Sequence, residues 1–495
     1  MRSLRTQFLR TAALAAAALL VGCTVGPSFH RPASPQPSGY LPPRQSRPLG
    51  PGVAAAERHA PPAAAYRQRV MLGAAGPRRW WRLLHCAQLD ALVRRALLDN
   101  HDLAAARASL AQAQALAAAA NGQRYPEVSL SAAAGRKKYG ALFLGPNLFP
   151  TFTAEGLTGT VNYLLHYDGA LARSLEEQRA LAQFRRSELQ VAALEVSGSV
   201  ASQAVVIAIS RAQIRAAAQL LAADRHTLAL VRTAFASGSV SKLDVLTARS
   251  QLAADQTLLP PLRQQLATAR NALAVLLGSP PARWRQPDLE LSDFTLPRSV
   301  PVSVPSQLVR RRPDILAAEA QLHAATAAVG VATANLYPQL ALTATLGPEA
   351  LTPGKLFNAS STAWSLIAAL TAPLYEGGTL HAQRRAALDA LKGRSERYQQ
   401  VVLDSFRQVA DLLEGLDHDA QSVAAEANAR ATAQQSLELA RESYRAGNSG
   451  LLQVIDAQRE RQRAQLGLLR AEGRQYLDTI QLLLAVGGSP LPKGG

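Results

Sequence analysis

The sequence predicts an α+β membrane protein in which tall helical columns carry a small sheet at one end, and three observations predict it. The chain repeats itself: Asp102, Leu110, Tyr125-Pro126 and Gly135 recur as Asp314, Leu322, Tyr337-Pro338 and Gly347, with one common displacement and no gap. Two proline-free stretches, from about Asp168 to Phe235 and from Glu376 to Tyr444, are long enough for helices of about 100 Å. Each half also holds two short segments of alternating polarity around a Gly/Pro-rich loop, the mark of a hairpin.

Composition supports helices over a thick globular core. The 495 residues would permit about three ordinary domains, yet the repeat makes them one domain built by duplication. Ala dilutes the large aliphatics, which favours helices and lets them pack closely. Formal net charge is +18 from 53 Lys+Arg and 35 Asp+Glu, but the excess lies largely in the N-terminal segment. Aromatics are only 5% and later charges are mixed in sign, so the basic face with interleaved aromatics that nucleic acid needs is missing.

Taken in order, the first element is a targeting segment, residues 1–22. Arg2, Arg5 and Arg10 are a basic start, Thr11 to Leu19 a short apolar run, and Leu20-Val21-Gly22-Cys23 closes it. The run is too short to span a bilayer stably as a helix. Leu-Val-Gly-Cys resembles the lipobox of bacterial lipoproteins, which implies acylation of Cys23. Several acyl chains hold a protein to a membrane far more firmly than one. Thr24 stands where an Asp would retain the protein in the inner membrane, so the expected destination is the outer membrane, with a large periplasmic part. Residues 23–79, rich in Pro, Gly, Ser and Arg, form a tether: either a disordered leader or a strap along the folded body. With Cys23 acylated, Cys86 has no intrachain partner and the fold cannot rely on disulfides.

Order begins at Trp80-Trp81, and the first repeat is expected over 80–278, a linker over 279–305, the second repeat over 306–487 and a tail over 488–495. In each repeat a helix stops at Tyr-Pro, because proline disfavours the α conformation in the residue before it. Strands follow: Val128, Leu130 and Ala132 alternate with Ser129 and Ser131, and Leu340, Leu342, Ala344 and Leu346 alternate with Ala341, Thr343 and Thr345. The hairpin ends at Tyr167-Asp168-Gly169 or Tyr375-Glu376-Gly377. The long helix then reaches a turn at Gly238 or Gly447 and reverses; Ser241 with Asp244 makes a capping box at the first restart. Pro260-Pro261 breaks symmetry, because Leu469 and Arg470 stand opposite them, and should kink the first returning helix.

Four strands per chain cannot close a sheet. Lipid tolerates no unsatisfied strand edge and even small barrels need about eight strands, so a membrane-embedded sheet must be completed by other subunits.

Trp80-Trp81, Asn100-His101-Asp102-Leu103, Arg311-Arg312-Pro313-Asp314-Ile315, Leu336-Tyr337-Pro338 and Pro373-Leu374-Tyr375-Glu376-Gly377-Gly378 together resemble the signature of outer-membrane efflux lipoproteins of the TolC and OprM type, in their NodT-like branch. The resemblance covers nearly all of Trp80 to Gly487. It implies a homotrimer whose strands close one transmembrane β-barrel, continuous with a long α-helical barrel in the periplasm. It further implies a passive exit duct in a tripartite pump, working with a periplasmic adaptor (membrane fusion) protein and an inner-membrane efflux pump of the RND type, and with no enzymatic activity, nucleotide, cofactor or metal of its own. By the same resemblance the periplasmic gate falls at Asp456, Gln453 and Asp244, and the adaptor-contact tips at Gly238, Val240, Leu243, Gly447, Leu451 and Leu452. A competing reading makes Asp456 a first-turn acid that complements a helix dipole. Competing functions are a poreless periplasmic coiled-coil adaptor or structural lipoprotein, and a polypeptide-export duct. Glu414, Asp417 and His418 fall on one helical turn, but with Asp411 and Asp419 they read as a solvated face rather than a metal site. The sequence holds no Walker loop, nucleophile elbow or metal-spaced cysteine pair.

Overall fold

Each half runs helix, strand, strand, long helix and returning helix in that order, as a computed structural model describes for residues 24–33, 39–41, 66–74, 76–138, 151–285, 287–487 and 489–491. The elements are β1 (Arg69–Leu72), α1 (Ala87–Asp99), α2 (His101–Gly122), β2 (Glu127–Lys137), β3 (Phe152–Leu165), α3 (Ala170–Ala236), α4 (Lys242–Gln256) and α5 (Leu259–Leu276). Then come β4 (Ser299–Val302), α6 (Pro305–Val309), α7 (Pro313–Ala334), β5 (Gln339–Ala350), β6 (Thr362–Thr371), α8 (Thr379–Arg445) and α9 (Leu451–Ala485).

The helix ends show why the motifs are where they are. Cys86 is the N-cap of α1, its Sγ accepting from the Leu89 amide at 3.4 Å. Asn100 starts α2 by accepting from the Leu103 amide at 3.1 Å, while its Nδ2 donates to the Leu276 carbonyl at 3.1 Å and ties this start to the end of α5. Both long helices span 67 residues. They end alike: Gly238 and Gly447 both adopt φ 76°, which only glycine takes freely. Ser239 N then reaches back to Ala234 O at 2.9 Å, and Asn448 N to Ser443 O at 2.9 Å.

The returning helices differ as the prolines require. Pro260 and Pro261 lack amide donors, so the helix stops at Gln256 and restarts at Leu259 with both prolines in its first turn. In the second half α9 runs unbroken for 35 residues. The kink expected at this point is a full break.

The chain folds into two compact units, and these are not the sequence repeats. One gathers the chain up to Pro32 with Ser109–Arg185 and Ala317–Tyr398; the other gathers Ala33–Ala108, Arg186–Leu316 and Gln399–Gly495. Each takes segments from both halves. The first holds a four-stranded antiparallel sheet of order β2-β3-β5-β6. The second holds most of the large buried side chains. There Trp80 and Trp81 are each 1% exposed and meet edge to face, centroids 5.9 Å apart. Trp81 Nε1 donates to Asp90 Oδ1 at 2.8 Å.

Arg312, of the Arg-Arg-Pro-Asp motif, lies in the second unit and fastens three helices. Its Nε donates to Asp314 Oδ1 at 2.9 Å, its Nη1 to the Ala485 carbonyl at 2.9 Å and its Nη2 to Gln408. Burying that guanidinium against a helix C-terminus satisfies a carbonyl the helix itself cannot. Two helices, α3 and α7, contain windows long and apolar enough to cross a membrane; 67% and 50% of those windows are buried by the chain itself.

Candidate functional site

Three places carry functional geometry: the sheet, the N-terminal strap and the two tip turns. Pairing in the sheet puts directly opposed residues on one face. Ser129 opposes Thr160, Thr160 opposes Thr345, and Thr345 opposes Ser365, with which it shares a hydrogen bond of 2.7 Å. Asn162 opposes Thr343, whose Oγ1 donates to it at 3.0 Å, and Glu127. This is a polar face across four strands. The other face carries Val128 and Leu130 beside Val161, with Leu342, Leu346, Trp364, Leu366 and Leu370, nearly all exposed. Large apolar side chains on an extended exposed face signal a non-aqueous neighbour. Strands of 10 to 14 residues match the length that crosses a bilayer at a tilt. Among the described residues, β2 and β6 each pair on one side alone.

The strap begins beside Cys23, which lies outside the described residues, as do the whole targeting segment and the central tether. Within the first unit, Val25 N donates to the Asp168 carbonyl at 3.3 Å. Arg173, 5% exposed, clamps the strap: Nε donates to Val25 O at 3.2 Å and Nη2 to Gly26 O at 3.3 Å, while Nη1 pairs with Glu176 at 2.8 Å. Gly26 has φ 88°, and a Cβ there would come within 2.5 Å of Gly330 Cα, so two glycines pack backbone on backbone. Phe29 stacks on His323 at 4.2 Å, His323 bonds Glu176 at 2.8 Å, and Arg31 donates to Glu319 at 2.8 Å.

Within the second unit, Tyr40 donates to the Ser303 carbonyl at 2.8 Å and Gln475 donates to Tyr66 O at 2.7 Å. β1 then pairs in parallel with β4. These bonds fasten the described parts of the tether to the folded body. The sequence showed no sign of the socket: Arg173 is one Arg among many in α3, and the Gly26–Gly330 approach follows no periodicity.

The tip turns rearrange the residues expected to meet an adaptor. Val240 and Leu451 are half-buried and pack against the buried cluster Leu228, Val231 and Ala248, so they help hold the tip together. Leu243 and Leu452 are the exposed ones, at 71% and 57%. Gly238 and Gly447 make the reversals. Asp244 closes the capping box, accepting from Ser241 N at 2.9 Å and Ser241 Oγ at 2.7 Å, and those bonds hold its carboxyl below the usual range. Asp456 is exposed and pairs loosely with Arg459 at 3.8 Å; Gln453 is also exposed. Because α9 starts at Leu451 with no acid in its first turn, the dipole reading of Asp456 fails. Asp417, of the acidic turn in α8, pairs with Arg67.

The model of the outer membrane efflux protein family matches this chain twice, over residues 92–279 and 304–488. The chain is 33% identical over 421 residues to the pyoverdine export outer membrane protein OpmQ of Pseudomonas putida, covering 83% of this chain and 88% of that one. It is 28% identical to the outer membrane protein OprJ of Pseudomonas aeruginosa, covering 96% and 95%. Among solved structures, the outer-membrane channel OprN superposes with a TM-score of 0.82 at 25% identity, covering 95% of this chain and all of that one. With the family model matching well over half its length, this chain belongs to the outer membrane efflux protein family.

Proposed function

We propose that this member of the family works as a homotrimer in which β2, β3, β5 and β6 of each chain join into one closed barrel across the outer membrane. The single observation that carries the reading is the sheet: apolar on one face, polar on the other, with two free edges. An even count of antiparallel strands lets β6 of one chain meet β2 of the next in the same antiparallel sense, which removes both edges from lipid. The polar face then lines water and the apolar face meets acyl chains.

Acylation of Cys23 fits this placement. Thr24 sits against Gly169, just past the end of β3, so the strap would hold the lipid level with the end of the barrel strands. The long helices form the periplasmic duct wall, a periplasmic adaptor meets the exposed tips through Leu243 and Leu452, and an inner-membrane RND-type pump supplies energy and selects cargo. Three symmetry copies of Asp456 would ring the throat with negative charge and draw in cations. A poreless scaffold explains the helices but gives no reason for a sheet with one apolar exposed face.

The test is planar-bilayer conductance of the purified, trimeric protein. Discrete single-channel steps are expected. A folded trimer that inserts without conducting would exclude the duct.

A further inference from the structure

Two aspartates in the second unit are buried, each with one carboxyl oxygen that no group donates to. Asp224, on α3, is 7% exposed, and Asp419, on α8, is 4% exposed; in each the Oδ2 is fully shielded and accepts from no donor. Each faces a second carboxyl on the helix that returns from its own long helix: Asp255 on α4 and Asp478 on α9.

The outer oxygens around the first pair are taken. Gln458 Nε2, on α9, donates to Asp224 Oδ1 at 3.2 Å, and Gln251 Nε2 donates to Asp255 Oδ2 at 2.6 Å. Both amides are thereby engaged with the carboxyls, and among the described residues no third His, Cys, Asp or Glu joins either pair to make a metal site. The adjoining cavity, lined by Asp224, Thr227, Gln251 and Gln458, has a volume of about 10 Å³, room for about one water. What fits between two facing carboxyls here is a proton.

We infer that Asp224–Asp255 and Asp419–Asp478 are proton-sharing carboxyl pairs that fasten each long helix to its returning helix, so that the helical body tightens in acid and loosens as pH rises toward neutrality. Among the groups that face Asp224, Asp255 alone is charged; Asp456 and Arg459 of α9 are exposed and lie by each other. Asp419 faces Asp478 and, more weakly, Arg474, both on α9, and Asp478 lies beside Gly415, one turn before Asp419. Burial first, then the facing carboxyl, pushes Asp224 and Asp419 each up to about 7. The sign follows. A carboxyl whose folded pKa is raised favours the folded state in acid, and that contribution fades as pH climbs from the ordinary Asp range toward 7. Above that, two carboxylates face each other with little water between them. This does not depend on the duct reading.

The experiment is hydrogen exchange on the full-length trimer in nanodiscs at pH 5.5 and pH 8, corrected for intrinsic rates, for the unmodified protein and for Asp224→Asn, Asp255→Asn and Asp419→Asn. Asn keeps the shape and brings its own N–H, so each variant should fold. Protection over α4 and the middle of α9 should fall several-fold at pH 8 in the unmodified protein. It should stay at the acid level around the first pair in both Asp224→Asn and Asp255→Asn, and around the second in Asp419→Asn. Protection that does not change with pH, or falls equally in the Asn variants, overturns the inference. So does protection at pH 8 that Mg²⁺ restores and EDTA abolishes, which would make the occupant a cation.

Discussion

Leu366 and Ile367 are neighbours in β6, both large, apolar and exposed, at 72% and 54%, and they point to opposite faces of the sheet. Leu366 opposes Ala344 on the apolar face; Ile367 opposes Thr343 on the polar one. Exchanging either for Arg adds the same charge at nearly the same depth. On a lipid face near the bilayer midplane an Arg costs about 2–4 kcal/mol, so Leu366→Arg should cost a trimer about 6–12 kcal/mol across its three copies. Ile367→Arg faces water and should cost far less. The assay is the yield of heat-resistant trimer in outer-membrane fractions, with its melting temperature after extraction. Leu366→Arg should nearly abolish trimer, while Ile367→Arg trimer should survive and show a shift toward anion preference in bilayers, because three new cations would line the lumen. Equal yields would refute a sheet with one lipid-facing side and with it the barrel, whereas a loss confined to Ile367→Arg would exchange the two faces.

Cys23→Ala should abolish incorporation of labelled palmitate while trimer still forms, since the barrel supplies its own membrane affinity; an unmodified protein that takes up no palmitate would remove the anchor. Gly26→Val should free the strap, because neither its φ nor the close approach to Gly330 admits a side chain, and limited proteolysis should then cut near Ser28 in the folded trimer. If the strap stays protected, the socket is not what holds it. Arg312→Ala leaves the Ala485 carbonyl without its donor and should lower stability by about 1–3 kcal/mol, read as a lower melting temperature with conductance retained. Asp456→Asn should weaken cation preference in bilayer recordings and leave the melting temperature unchanged. Unchanged selectivity would take Asp456 out of the throat.

Much of this fold could be read in the sequence because its signals are local and repeated. Tyr-Pro ends a helix whatever surrounds it, alternation marks a strand with unlike faces, and a Gly after a long apolar run ends a helix by a left-handed turn. The proline pair in the first returning helix was equally plain, although proline in the first turn of a new helix turned a kink into a clean restart. What the sequence hid depends on distant partners. Nothing local to Val240 or Leu451 shows that both pack against Leu228 and Val231 of α3. Asp456 looked like a first-turn acid because the restart of α9 carries no side-chain cap to mark it. The Arg173 socket joins residues nearly 150 positions apart in sequence, and no spacing rule reaches that far. Nor does any local signal show that one Asp among the many on these helices is buried against another.

The two tips, though built in the same order, are not equally firm. The first restarts on a capping box in which Ser241 and Asp244 satisfy each other's amides. The second restarts on Gly450 with no side-chain cap, and the neighbouring Ser449 hydroxyl is buried without a partner. A lost cap is worth about 1 kcal/mol, enough to decide which of two similar turns frays first. Asp456 and Gln453 sit just past the weaker restart, and Asp244 is spent on the stronger one. If the duct closes at this level, the uncapped turn is the one free to move, and the gate charge belongs on it. The capped turn serves better as a fixed surface, with Leu243 exposed on a helix start that its own side chains hold in place. Identical tips would offer a partner six equal sites around a trimer. In the proposed trimer this division would leave three of each kind.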